Sequence, residues 1–286
     1  MFFKRLFSTV ILLAIFACII FGEKMFGTPW VSKIAFLILG CLLSFFVPYE
    51  TCNMLKHAGK PVFAKLTSFL ILISFLLVYA TACFDQFDLF IVLIFYCMFL
   101  FALPWCFLLF IIGKEGGLER ILNSCGIGML FIVPFSLLQM FYFLDVKIFL
   151  FFILGTKIGD IGAYVFGTLS NKLLPGGNHK MIPTISPGKS WEGAAGGMLS
   201  SIVFAVSLFS WAFPKCMYGI WLPIVLGIVL FIFGAAGDLA ESCIKRVCGV
   251  KDSGKTLPGI GGVFDLVDSL LLNSLVFAVF LLLTQL

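Results

Sequence analysis

Apolar runs of about twenty residues follow one another along this chain, separated by short polar breaks. Nine such runs can be drawn, at about 6–22, 32–48, 66–84, 89–112, 121–143, 148–169, 193–213, 218–240 and 264–284. Each is long enough to cross a hydrocarbon core of roughly 30 Å as a helix. The runs lack the alternation of barrel strands, and an open sheet would leave backbone donors unsatisfied in lipid. The pattern therefore predicts an all-α, polytopic transmembrane helix bundle of about nine spans. Lys4 and Arg5 precede the first run as they would in a signal peptide, but no persuasive small-residue cleavage site follows, so it is read as a retained helix.

Polar positions give the orientation. Fourteen of the nineteen Lys and Arg residues fall in segments on one side of the predicted bilayer, four on the other, and Lys157 lies within a span. The positive-inside rule then places the N-terminus in the cytoplasm. The two richest polar segments, Asn171 to Glu192 and Glu241 to Gly262, share that face. Residues 1–145 read as lipid-embedded support, and 146–286 as a catalytic region with two cytoplasmic loops.

Composition strengthens the membrane reading: of 286 residues 62% are hydrophobic and 12% charged, with 36 Phe. The net charge of +5 suits an anionic leaflet and gives no reason to invoke nucleic acid. The ten cysteines form no CxxC pair, and most lie inside apolar runs, where they pack as small hydrophobes. His57 and His179 are too few for a histidine metal cage.

The carboxylates change the picture. Asp160 interrupts an apolar span, where a charge costs about 2.5–3.5 kcal/mol even on the lenient insertion scale, so it should face protein or water. An ion pair with Lys157, one turn earlier, is the plain alternative. Asp238, Glu241, Ser242 and Lys245 are spaced to share one helical face at the end of the eighth span. Asp265 and Asp268 repeat the three-residue spacing at the start of the ninth. Oxygen ligands from two helix ends suit Mg²⁺, although helix N-terminal charge also accounts for the second pair.

Between these acids lies a segment rich in cations and glycine, from Lys245 and Arg246 through Lys251, Asp252 and Lys255 to Gly261 and Gly262, which is an environment suited to polyphosphate. Gly249 to Thr256 satisfies the bare Walker A pattern, but that motif needs a preceding buried strand and a helix starting at its lysine. A membrane helix precedes it here and Pro258 follows, so the match is set aside. In the other polar loop Lys180, Ser186, Lys189 and Ser190 offer phosphate donors, and Trp191 reads equally well as an interfacial anchor.

These residues resemble the CDP-diacylglycerol synthase (phosphatidate cytidylyltransferase) family. Ser242, Lys245, Arg246, Lys251, Asp252, Gly254, Pro258, Gly261, Gly262, Asp265 and Asp268 follow its C-terminal signature in order and spacing. Asp160, Ala163, Tyr164, Gly167, Ser186, Lys189, Glu192 and Gly193 look like its second conserved region. Two positions depart: Ile260 stands where the family has histidine, and Leu266 where it has arginine. The resemblance implies attack of a phosphatidate oxygen on the α-phosphorus of CTP, giving CDP-diacylglycerol and pyrophosphate. It assigns metal binding to Asp238, Ser242, Asp265 and Asp268, and phosphate contacts to Lys245, Arg246 and Lys251. Substrate contacts fall to Asp160, Ser186, Lys189, Glu192 and Asp252. It also implies Mg²⁺ with a second cation open, a homodimer, and a site on the cytoplasmic face of a bacterial inner membrane. Alternatives still open are a transferase for another lipid or polyprenol acceptor, a catalytically impaired relative, and a transporter.

Overall fold

The structure, a computed structural model, describes residues 2–83, 105, 116–214, 216, 219–254, 256–257 and 261–284. Helices account for almost all of it: α1 (Phe2–Phe26), α2 (Pro29–His57), α3 (Ala64–Cys83), α4 (Gly117–Leu144), α5 (Val146–Leu173), α6 (Trp191–Ala212), α7 (Trp221–Val247) and α8 (Phe264–Thr284). The predicted span at 89–112 lies outside the described residues. The helix α1 covers the first predicted span. The seven helices from α2 to α8 are each long and apolar enough to cross a membrane, and the chain is an integral, multi-pass membrane protein.

Several helices outrun the spans predicted for them. The 29 residues of α2, at 1.5 Å per residue, extend about 43 Å, well beyond a hydrocarbon core of about 30 Å. The 27 residues of α7 continue through Asp238 to Arg246, with Lys245 and Arg246 in the last turn, where cations complement the helix dipole. Gly249, at φ 67°, then turns the chain out of the helix.

The chain divides into two compact units. The first comprises Met1–Met140 and Val247–Leu266, the second Phe141–Arg246 and Val267–Leu286. Within the first, side-chain to backbone hydrogen bonds tie successive helices. Tyr79 donates to the Lys33 carbonyl at 2.9 Å, Gln139 to the Phe75 carbonyl at 3.1 Å, and Asn123 to the Pro61 carbonyl at 2.9 Å. Lipid tails are as apolar as leucine, so such bonds and close packing hold helices together where hydrophobic burial discriminates poorly.

In the second unit, phenylalanines and small residues divide the work. Phe141, Phe151, Phe152, Phe213 and Phe277 form one interlocking cluster with ring centroids 5.0–6.5 Å apart. Nine residues further along α5 from Phe151, roughly 13 Å at helical rise, the packing becomes one of glycine and serine. A Cβ at Gly197 would stand 2.7 Å from the Gly159 carbonyl, and one at Gly193 2.8 Å from that of Ala163. The backbones of α5 and α6 therefore touch beside Asp160, as small-residue membrane interfaces do.

The polar stretch between α5 and α6, expected as a connecting loop, folds into a small antiparallel hairpin of β1 (Lys180–Ile182) and β2 (Ser186–Ser190). Pro183 and Thr184 make the turn, and Met181 and Ile182 give the strand apolar contacts that a freely solvated loop would not need. Ser190 ends β2 and caps α6, its hydroxyl accepting from the Gly193 N–H at 3.1 Å.

Candidate active site

In the second unit a cavity of about 300 Å³ opens between α5, the hairpin, α6 and α7. Asp160, Ser186, Lys189 and Asp238 supply its polar wall, and Tyr164, Met181, Phe231 and Leu239 are among its apolar lining. Four residues singled out from three separate stretches of sequence thus share one cavity.

Lys189 joins the hairpin to α7. Its ammonium lies 3.5 Å from Asp238 Oδ2 and donates to the Ala235 carbonyl at 3.2 Å. Lys157 serves as the second cation of the site: it donates to Asp160 Oδ2 at 3.3 Å and to Ser269 Oγ at 2.7 Å, and stands 3.9 Å from Asp268 Oδ1. Ser269 in turn donates to Asp160 Oδ2 at 3.2 Å. The expected Lys157–Asp160 pair does form. It does not exhaust the role of Asp160, which also faces the cavity.

Asp238 interacts electrostatically with both Asp160 and Asp268. Gly237 permits this gathering: a Cβ there would stand 2.7 Å from the Asp268 carbonyl and 3.1 Å from the Ser269 Cα, so only glycine lets α7 lie so close to α8. One turn deeper, the buried Asn273 donates to Thr156 Oγ1 at 3.0 Å and to the Leu230 carbonyl at 2.8 Å, tying α5, α7 and α8 together beneath the acids.

Three carboxylates, Asp160, Asp238 and Asp268, thus stand near one another with Lys157 and Lys189 among them. Among the described residues no group of three or more His, Cys, Asp or Glu side chains is drawn together tightly enough to cage an ion unaided.

Ser190, Tyr164 and Gly193, also picked out in the sequence, line the same cavity, whereas Lys245, Arg246, Glu192 and Ser242 of this unit are not part of its lining. Lys245 makes a 2.6 Å ion pair with Glu241, which is 3% exposed, so the two lock the last turns of α7. Arg246 donates to the Ile185 carbonyl at 3.2 Å and so holds the hairpin turn. Glu192 accepts from the His179 backbone N–H and lies 2.6 Å from His179 Nδ1, closing the base of the hairpin. Ser242 is half-buried on α7. Lys251 and Asp252 are exposed in the first unit. Asp265 belongs to that unit too, and accepts from the Gly262 N–H at 2.9 Å. Leu266, at the family's arginine position, follows it in α8; Ile260 and Lys255 lie outside the described residues. No strand precedes Gly249–Thr256, where α7 ends instead, which removes the structural basis of a Walker A loop.

Lys157 was legible in the sequence only as a partner for Asp160, yet it contacts three polar groups of the site. Ser269 and Glu50 gave no sequence motif. Glu50 lies just past the apolar run at 32–48, where an acid at the end of a span needs no explanation, so nothing in the sequence marked it.

Comparison with known proteins identifies the family. A family model described as the Cytidylyltransferase family matches residues 3–284. A protein of Staphylococcus saprophyticus named phosphatidate cytidylyltransferase is 44% identical over 120 residues, which is 42% of this chain and 43% of that protein. One of the same name from Staphylococcus epidermidis is 48% identical over 120 residues, with the same coverage of 42% and 43%. A third, from Mycobacterium bovis, is 40% identical over 112 residues, 39% of this chain and 34% of that protein. The aligned part thus amounts to less than half the length of each of these relatives.

Proposed function

This chain belongs to the cytidylyltransferase family, and on that footing we propose that it joins CTP to phosphatidate, releasing pyrophosphate and forming CDP-diacylglycerol. The observation that carries the reading is the cavity lined together by Asp160, Ser186, Lys189 and Asp238. Its lining combines charged with apolar residues, which suits reactants that bring phosphates on an apolar carrier. The names of the relatives support phosphatidate as the acceptor.

The chemistry asks little covalent work of the protein. A phosphomonoester is already anionic near neutral pH, so alignment and charge neutralisation carry the step. Lys189, reaching from the hairpin into the cavity, neutralises phosphate oxygens and brings the hairpin onto the nucleotide. Ser186 donates a hydroxyl from the same hairpin. Lys157 keeps Asp160 and Asp268 from repelling one another, which holds their oxygens in place for a cation. Asp238, Asp160 and Asp268 would hold Mg²⁺, which when bound supplies the positive charge that draws electron density from the reacting phosphates. The family resemblance adds an oxygen-donor role for Asp265, a supporting one for Ser242 and phosphate contacts for Lys245, Arg246 and Lys251. It leaves a second cation open. Arg246 and Glu192 shape the hairpin that presents Lys189. The acyl chains stay in the bilayer, since extracting them would forfeit about 0.8 kcal/mol per methylene.

The lysine and arginine distribution supports a cytoplasmic N-terminus and a site on the cytoplasmic face of a bacterial inner membrane, where CTP is available. Homodimerisation rests on family membership. The test is direct: protein purified in detergent, given Mg²⁺, CTP and phosphatidate, is expected to yield pyrophosphate and CDP-lipid in equal amounts, and chelation by EDTA is expected to stop both. A folded preparation that makes neither product would overturn the reading. Product formed only from a competing polyprenol phosphate would redirect it to another acceptor.

A further inference from the structure

The glycine-rich segment that ends in Asp265 is organised by a residue some two hundred positions away in the sequence. Glu50, on α2 just past its apolar run, is 3% exposed, a costly setting for a carboxylate without donors. Its carboxylate is met by three donors from the segment: Thr256 Oγ1 at 2.5 Å, the Phe264 backbone N–H at 3.1 Å and Ser253 Oγ at 3.4 Å. Phe264 is the first residue of α8, so Glu50 satisfies an N–H with no partner inside the helix and puts negative charge at the positive end of the helix dipole.

Two glycines make this approach feasible. A Cβ on Gly254 would run into the Glu50 carboxylate, and one on Gly262 would stand 2.7 Å from Glu50 Oε2. Both ends of the segment thus close around one side chain. Asp265 completes the turn by accepting from the Gly262 N–H at 2.9 Å. The Phe264 ring packs edge-on against Phe131, with centroids 5.6 Å apart, which anchors the start of α8 from another side.

We propose that Glu50 is a positioning residue: it holds Ser253, Gly254, Thr256, Gly262 and Phe264 around its carboxylate, and through them sets the stance of Asp265 at the start of α8. Its consequence for activity rests on the nucleotidyl transfer proposed above. Its consequence for the segment does not.

The test uses the full chain in detergent as wild type, Glu50→Gln, Glu50→Asp and the double variant Ser253→Ala/Thr256→Ala. Two quantities are read: hydrogen exchange at residues 251–254 and 261–264, and steady-state transfer. Glutamine turns an NH₂ group toward donors that need an acceptor. Glu50→Gln is therefore expected to speed exchange in the segment at least about tenfold, with α3 and α6 unchanged, and to lower kcat about ten- to hundredfold while KM for CTP moves less than about threefold. Glu50→Asp keeps the charge and is expected to recover part of kcat. The double variant leaves the Phe264 bond and is expected to fall between wild type and Glu50→Gln. Wild-type exchange, or wild-type kcat, in Glu50→Gln would overturn the proposal. If that variant does not fold, wild-type exchange in the double variant would do so instead. A wild type inert toward CTP and phosphatidate would sink the functional reading alone, and Glu50's hold on the segment would still stand or fall by exchange.

Discussion

The Lys189 ammonium stands 3.5 Å from the Asp238 carboxylate, 49 positions apart in sequence. This pair fastens the second strand of a polar hairpin, near its base, to a membrane helix, and both residues line the cavity between them. A lysine so placed can leave its carboxylate for an incoming phosphate without moving the backbone, because about a quarter of each side chain stays exposed.

Lys189→Met should therefore weaken transfer more than folding. Loss of a preorganised cation at a site of phosphate charge is expected to lower kcat/KM for CTP about 10²-fold. Thermal unfolding should shift by no more than a few degrees, because the pair is partly solvated. Steady-state kinetics beside a melting curve in the same detergent checks both, and unchanged kcat/KM would remove Lys189 from the site.

Lys157→Met should have the opposite balance. Asp160 and Asp268 would lose their shared cation, at an expected cost of about 1–2 kcal/mol, less than for a fully buried pair because water reaches the lysine. Adding Asp160→Asn to that variant removes one of the stranded charges and should return part of the lost melting temperature. A double variant less stable than the single would contradict the pairing.

Gly237→Ala tests the close approach of α7 to α8. The new methyl would meet the Asp268 carbonyl at 2.7 Å, and forcing it in should cost about 1–3 kcal/mol. Activity is expected to fall further than stability, because Asp238 is the next residue and moves with the helix. A variant with full activity and an unshifted melting curve would show that the two helices are not held so closely.

Asp265→Asn keeps an oxygen to accept from the Gly262 N–H while removing the charge. Folding should be intact and turnover abolished, by about 10³-fold or more if the carboxylate carries cation or phosphate charge in the reaction. Near-normal turnover would leave Asp265 with only its structural bond.

The all-helical membrane architecture was legible because hydropathy is local: a run of apolar residues reports its solvent wherever it sits in the fold. Asp160, Lys189 and Asp238 were legible for a related reason, since a charge in or beside such a run is costly enough to need a purpose. The hairpin was less so. Its strands are three and five residues long, too short for periodicity to register against two prolines.

Sequence alone therefore determined which segments enter the membrane and which acids and cations need an explanation, because transfer cost and helical spacing belong to a residue and its near neighbours. Only the tertiary structure decided the pairings: Lys157 with Ser269 across 112 positions, and Glu50 with Phe264 across 214. Those depend on which helix faces meet, and in lipid that is settled by close contacts at glycine and by buried hydrogen bonds, not by hydrophobicity that every face shares.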